Sequence, residues 1–266
     1  MTKRKLVYIL SAGYSVINLS LMLMFHIPLN IIGESSAAYD YFRYFLTEAF
    51  EMLMPTVGAV LLFTLYHEKR ATELLLPTLA FSLPRIFYLL PYYYLYATYN
   101  GNDWQESLGI AFLITLLGVA ISFGVTYVLS MLIRLVTVRS LASEICDTAE
   151  APKAKDKESR RRLTESARKL LPERVGERGL FDLSAPATLG VFVSAAAVFL
   201  YSLLFEIYEI IAFLAEYGSF YAGEIVYTVG KLVFVFCMLF VTHISMYFAK
   251  NCAAKLLPLF EGAIQE

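Results

Sequence analysis

The chain lacks the short motifs that carry most enzyme chemistry. Its 266 residues contain no P-loop, HExxH, CxxC or GxSxG pattern. The three histidines, His26, His67 and His243, stand far apart near the ends of apolar segments. The sequence therefore predicts no metal and no cofactor, and it offers no recognisable pair of nucleophile and base.

Cysteine is also scarce, with three residues in the whole chain. Cys146 and Cys252 fall in segments that we assign below to the cytoplasmic side, and Cys237 lies inside an apolar segment. No pair is available on the outer side, so no disulfide framework is predicted. Motifs for binding nucleic acid are missing too, and no nucleic-acid partner is expected.

Long apolar segments are what the chain has in abundance. Hydrophobic residues make up 58% of it and the mean hydropathy is +0.60, against about 45–50% apolar residues in soluble domains. A helix needs about 20 such residues to cross a bilayer, and six segments reach or approach that length: Leu6–Phe25, Thr47–Tyr66, Leu74–Tyr99, Ser107–Ile133, Pro186–Phe205 and Leu232–Ala249. None alternates as a barrel strand does, so all should be helices. The predicted fold is an all-α membrane protein, a bundle of about six transmembrane helices in three hairpins.

The distribution of Lys and Arg predicts the orientation, because basic residues in short flanking loops favour the cytoplasmic side. They cluster in four places: residues 1–5, Lys69 and Arg70, residues 136–187, and Lys250 and Lys255. The opposite side and the embedded positions carry only Arg43, Arg85 and Lys231 as bases. We therefore expect a multi-pass protein of the cell membrane with both termini in the cytoplasm. Leu6–Phe25 exceeds the roughly 7–15 apolar residues of a signal peptide, and we expect it to be retained.

One polar segment interrupts the apolar pattern and divides the chain into three parts. Residues 1–135 hold the first four spans, 136–187 form a cytoplasmic basic loop, and 188–266 hold the last two spans and a short tail. Within the loop, Leu163, Ala167, Leu170 and Leu171 recur at helical spacing and predict a short amphipathic helix that ends at Pro172. Its apolar stripe could face the acyl boundary while its bases contact anionic lipid headgroups: Arg160, Arg161, Arg162, Arg168 and Lys169. Alternatively, the bases only enforce the topology.

Arg85 is the residue that most strongly indicates a functional site, because it is a charged residue inside an apolar segment. It lies eleven residues into the third segment, about 17 Å from its inner end and near the bilayer midplane, where an unpaired charge is costly. Pro84 precedes it and should kink the helix and free a carbonyl. Glu48 and Glu51 share one face of the second span, and Glu51 is the expected partner. These three residues form a candidate substrate or ion path, or a buried ion pair.

A weaker candidate lies at the outer ends of the last two spans. Glu206, Glu209 and Lys231 flank segments that are long enough to cross without them, so we expect these residues at the outer interface, where Glu206 and Lys231 could pair. Small residues four apart predict close helix packing, within the chain or between copies: Gly118 and Ser122, Ala120 and Gly124, Gly190 and Ser194.

Three function classes remain open. The first is transport of a small solute or ion through a polar cavity near Arg85. The second is a non-catalytic scaffold, or a subunit that works with membrane-protein partners or further copies of itself. An intramembrane enzyme comes last because no motif supports it. A water-accessible site at Arg85 would favour transport, and a dry Arg85–Glu51 pair in a sealed bundle would favour the scaffold.

Overall fold

The computed structural model describes residues 2–32, 37–99, 102–148, 157–177, 179–218 and 222–261. In this part of the chain every regular element is helical, and there are no strands. The α-helices are α1 Lys3–Ile32, α2 Ala37–Leu65, α3 Leu75–Ser82, α4 Ile86–Tyr99, α5 Trp104–Thr148, α6 Lys157–Val175, α7 Pro186–Tyr217 and α8 Ala222–Glu261. Two 3-10 turns, Ala71–Leu74 and Leu83–Arg85, precede and follow α3. The predicted all-helical class is thereby confirmed.

Among the described residues, four segments are long and apolar enough to cross a membrane: Ala71–Thr98, Trp104–Asp147, Pro186–Tyr217 and Ile225–Pro258. They contain the fourth to the sixth predicted spans and all of the third except Tyr99. A shorter apolar helix, Met52–Leu65, covers part of the second predicted span. The first predicted span lies in α1, where the described side chains end at Leu21. Six spans in three hairpins therefore stay a prediction.

The chain divides into two compact units, and these differ from the three predicted segments, which followed topology rather than packing. The first unit comprises Met1–Met131 and Cys252–Glu266, and the second comprises Leu132–Asn251. In the first unit α1 packs against α2, α3 and α4. Its buried core joins the ends of several helices: Leu6, Val7, Met54, Leu61, Leu62, Leu65, Phe81, Ala253 and Leu257. Gly58 leaves room for the Phe81 ring, because a Cβ at position 58 would lie 2.2 Å from the ring.

The second unit holds the last part of α5, α6, α7 and most of α8. Gly190 brings α7 close to α5: a Cβ there would lie 2.5 Å from the Thr137 hydroxyl oxygen and 2.7 Å from the Ile133 carbonyl oxygen. The predicted close packing is thus confirmed for Gly190, and it occurs within the chain. Gly124 differs, since a Cβ there would meet nothing within 4 Å.

Helix ends differ from the predicted ones around the polar segment. α5 continues to Thr148, so residues 136–148 are helical rather than part of a loop. Hydropathy marks where a helix leaves an apolar environment and not where its hydrogen bonding stops. α6 runs through Pro172 to Val175, so the expectation that Pro172 ends it was wrong. Proline removes only one backbone N–H donor, so the helix can continue for one more turn without that hydrogen bond.

The connection between α6 and α7 is held against one face of α8. Lys250 Nζ donates to the Glu177 carbonyl at 2.7 Å, and the Gly179 amide donates to the Tyr247 hydroxyl at 2.7 Å. His243 Nε2 lies 2.6 Å from the Leu180 carbonyl. Because a carbonyl only accepts, His243 Nε2 must carry the hydrogen. These three α8 residues recur at four- and three-residue spacing and therefore share one face.

A second clamp fixes the end of α6. Arg174 donates to Glu144 on α5 at 2.7 Å and also to Glu177. The hydrogen bond to Glu177, together with the charges of both carboxylates, raises the pKa of Arg174 above its ordinary value. The C-terminal end of α6 is therefore tied to α5 directly and to α8 through Glu177.

Candidate functional site

The apolar segment Ala71–Thr98 is broken at its middle. The 3-10 turn Leu83–Arg85 separates α3 from α4, and Arg85 lies fourteen residues from the start of Ala71–Thr98. Pro84 has no N–H to offer the carbonyl of Ala80 in α geometry or that of Phe81 in 3-10 geometry. The Ser11 hydroxyl of α1 donates to the Phe81 carbonyl instead. A side chain of a neighbouring helix thus supplies a donor where the proline has none.

α1 runs alongside this broken segment in the same direction. Ser11 bonds to Phe81, and eight residues later Leu19 packs against the cluster of Tyr88 and Leu89. Ser15 lies one turn beyond Ser11, and Arg85 lies four residues beyond Phe81. Because the rise per residue is similar in the two segments, Ser15 lies at the level of Pro84 and Arg85. Ser11, Ser15 and Asn18 are all buried and share one face of α1. A polar face in an apolar helix is therefore directed at the break.

α5 runs antiparallel to this segment and lies beside the same break. Val119 packs with Leu89, and a Cβ on Gly118 would lie 2.7 Å from Leu89. Further along, the Tyr127 hydroxyl donates to the Ala71 carbonyl at 3.3 Å. Ser122, three residues beyond Val119, consequently lies near the level of Arg85.

A row of buried hydroxyls follows this face of α5. Thr115, Ser122 and Thr126 are buried. At about 100° per residue they fall between Gly118 and Val119 around the helix, the two positions that contact Leu89. They therefore point toward the broken segment. Sequence reasoning missed this row, although its spacing of seven and four residues in an apolar span was a signal for it.

Several polar groups of this region have no hydrogen-bond partner among the described residues. The atoms that are buried without a hydrogen-bond partner in the described chain include Arg85 Nε, Ser15 Oγ, Thr115 Oγ1, Ser122 Oγ and Thr126 Oγ1. Elsewhere, the hydroxyls of Thr78, Thr137 and Ser202 bond back to the carbonyl four residues earlier, whereas those of Thr64, Ser130 and Ser194 are also buried without a partner among the described residues. We call Ser15, Arg85, Thr115, Ser122 and Thr126 the polar layer. Its hydrogen-bonding groups are left without a partner among the described side chains.

The predicted acidic partners of Arg85 cannot be placed by their side chains. Glu48 and Glu51 belong to α2, but their side chains lie outside the described residues. Among the charged side chains that are described, none forms an ion pair with Arg85. The Arg85–Glu51 pair therefore stays a prediction.

Glu206, Glu209 and Lys231 are brought together by α7 and α8. Lys231 Nζ lies 3.0 Å from Glu206 and 2.6 Å from Glu209. The side chains of Lys231 and Glu206 are only 11% and 13% exposed, whereas Glu209 is 44% exposed. Glu206 is twenty residues from the start of α7, about 30 Å along the helix and thus a full bilayer core away. The geometry is that of an ion pair, and a role for these residues in a substrate path stays a prediction.

The described bases predicted to contact lipid headgroups are exposed on α6, whereas part of its apolar stripe is buried. Arg161 pairs with Glu165 at 3.0 Å and Arg162 with Glu158 at 2.6 Å, while Arg168 and Lys169 are exposed. The side chain of Arg160 lies outside the described residues. Of its apolar stripe, Ala167 and Leu171 are buried in the protein, so these two residues do not face the acyl boundary as expected, whereas Leu163 and Leu170 are half-buried and their contact with lipid stays a prediction. Contact of the bases with lipid headgroups stays a prediction.

Comparison of the chain with profiles of known protein families, with curated proteins and with solved structures gives no match. The function is therefore inferred from the geometry of this chain.

Proposed function

We propose that the protein transports a small solute or ion across the membrane by way of the polar layer. One observation carries this proposal: Arg85 Nε and four hydroxyls from three helical segments are buried without a hydrogen-bond partner in the described part of the chain, and Ser15 and Ser122 lie near the level of Arg85. An unsatisfied buried polar group costs about 1–3 kcal/mol. A bundle selected only for stability would pair these groups or replace them by apolar side chains.

The broken segment supports the same function. In transporters, substrate sites near the bilayer midplane are typically built from discontinuous helices, because irregular backbone is tolerated there only where it lines a cavity or is buried in protein. The 3-10 turn at Arg85 provides such a discontinuity in the middle of Ala71–Thr98. Polar side chains of α1 and α5 lie beside it, so more than one helix can respond to an occupant.

The proposal includes six spans in the cell membrane, with both termini and α6 in the cytoplasm. The lipid bilayer is then the partner of the exposed apolar side chains, which on α5 include Leu113, Leu117 and Val128. The exposed bases of α6 support the cytoplasmic assignment, since basic loops are retained on that side.

This orientation can be tested in a variant whose three native cysteines are replaced by serine and whose exposed Ser159 is replaced by cysteine. An impermeant maleimide should label Ser159→Cys in lysed but not in intact cells. Labelling in intact cells at a rate similar to that in lysed cells would place α6 outside and reverse the topology.

Water access to the polar layer tests transport itself. In the same cysteine-free background, Ser15→Cys should react with small, water-soluble methanethiosulfonate reagents in membranes, because thiols react as solvated thiolates. The transporter requires this reaction, at least in one state of its cycle. The measurement is the fraction of labelled protein over time, read by mass spectrometry.

A matched control is the buried Ser194 of α7, which lies on the Gly190 packing face rather than in the polar layer. Ser194→Cys should stay unlabelled under conditions that modify Ser15→Cys. If neither cysteine reacts while Ser159→Cys does, the layer is dry and transport through it is excluded.

The alternative is a non-catalytic scaffold or subunit of a membrane complex. The exposed face of α6 supports this alternative as a surface for a charged partner. On it, Arg161 pairs with Glu165 and Arg162 with Glu158. A dry polar layer would make this alternative the better one. An intramembrane enzyme ranks below both.

A further inference from the structure

We infer that the polar layer binds an oxyanion group of its solute, such as a carboxylate, phosphate or sulfate. This inference rests on the proposed transport function and names the chemical class of the substrate. It follows from the kind of atoms that the layer contains and from their arrangement beside Arg85.

The charge of the layer has one sign. Arg85 is a permanent cation with five N–H donors and no acceptor. The other members, Ser15, Thr115, Ser122 and Thr126, are neutral hydroxyls that can each donate one hydrogen bond. None of these five residues is a carboxylate, so a cationic solute would meet repulsion. A neutral solute would leave the charge of Arg85 uncompensated at midplane depth, where that is costly.

The geometry suits an oxyanion in particular. Guanidinium and oxyanion groups form short, charge-assisted hydrogen bonds that are about twice as strong as neutral ones. Arg85 Nε and, near its level on α1, Ser15 Oγ are buried without a hydrogen-bond partner among the described residues. An oxyanion has several acceptor oxygens and can take donors from the broken segment and from α1 together. Ser122 of α5 lies near that level and can complete the set.

Glu51 is the rival occupant, because an internal carboxylate would compete with a solute for the same cation. The two accounts predict opposite charge preferences at the site. An unoccupied Arg85 attracts anions from water, whereas an Arg85 neutralised by Glu51 does not. A charged probe that reacts at Ser15 can therefore distinguish them.

The experiment compares two methanethiosulfonate reagents of similar size on Ser15→Cys, one carrying a sulfonate and the other a trimethylammonium group. Each rate is divided by the rate of the same reagent on Ser159→Cys, which removes intrinsic reactivity. We expect the sulfonate to react about tenfold faster or more, since unit charges a few ångströms apart interact by several kcal/mol in a protein. Arg85→Gln should abolish the preference and Arg85→Lys should retain it, which separates loss of charge from loss of folding.

Three results would overturn the inference. Equal rates, or a preference for the ammonium reagent, would leave transport standing and exclude an oxyanion site. A sulfonate preference that emerges only after Glu51→Gln would identify Glu51 as the resident counter-ion. No reaction with either reagent would exclude the transport function and the oxyanion site together.

Discussion

Replacing Gly190 by alanine is expected to destabilise the protein by about 1–3 kcal/mol, the usual cost of overpacking a core. The new methyl group would overlap the Thr137 hydroxyl and the Ile133 carbonyl oxygen. Neither atom can move freely, because the Thr137 hydroxyl donates to that same carbonyl at 2.7 Å. α7 and α5 would have to separate, and the thermal unfolding midpoint of the purified protein in detergent should fall by several degrees.

Gly124→Ala provides the control, since it places the same methyl group in a spanning helix where nothing lies within 4 Å. It should leave the midpoint unchanged or raise it slightly, because alanine favours the helix over glycine. Equal midpoints for the two variants would mean that α5 and α7 do not approach closely at Gly190.

Replacing Lys231 by methionine is expected to cost about 3–5 kcal/mol, the penalty for stranding the partner of a buried ion pair. Glu206 would be left with an unpaired carboxylate that is only 13% exposed. Lys69→Met is the matched control: its partner Glu73 is 3.6 Å away and both side chains are about half exposed, so its loss should cost less than about 1 kcal/mol. Chemical or thermal unfolding in detergent measures both variants.

A second substitution assigns the loss to one carboxylate. Adding Glu206→Gln to Lys231→Met should recover part of the stability, because it removes the stranded charge. Adding Glu209→Gln should recover less, since Glu209 is 44% exposed and can be hydrated. Purely additive effects for both double variants would show that the lysine contributes by packing and not by charge.

The sequence was sufficient for features that depend on composition and on single residues. Apolar length predicted helices that could span a membrane, and four are found. Pro84 predicted a break in the third segment, and a 3-10 turn lies there. Both effects are local, because a proline lacks its N–H in any fold and an apolar run needs an apolar environment in any fold.

Close packing was predicted correctly at Gly190, but most features that depend on contacts between segments were missed. The hydroxyls of Thr115, Ser122 and Thr126 change hydropathy little, so an average over the span conceals them, and only the contact with Leu89 shows their direction. His243 contacts the backbone carbonyl of Leu180, and the sequence cannot predict this contact because every residue has such a carbonyl. Helix ends were misplaced for the same reason, since polar residues 136–148 extend α5 as helix.

The two buried lysines of α8 have a consequence for the bilayer. Lys231 is bound by carboxylates of α7, and Lys250 is bound by the carbonyl of Glu177. Nineteen residues separate them, about 28 Å of helix, which matches a hydrocarbon core of about 30 Å. A slide of α8 by one turn against its neighbours, about 5.4 Å, would break the bonds of both ammonium groups. If α8 crosses the membrane as proposed, the two ammonium groups set the length of its apolar part, and a thicker or thinner bilayer is accommodated by tilt of the helix or by deformation of the lipid.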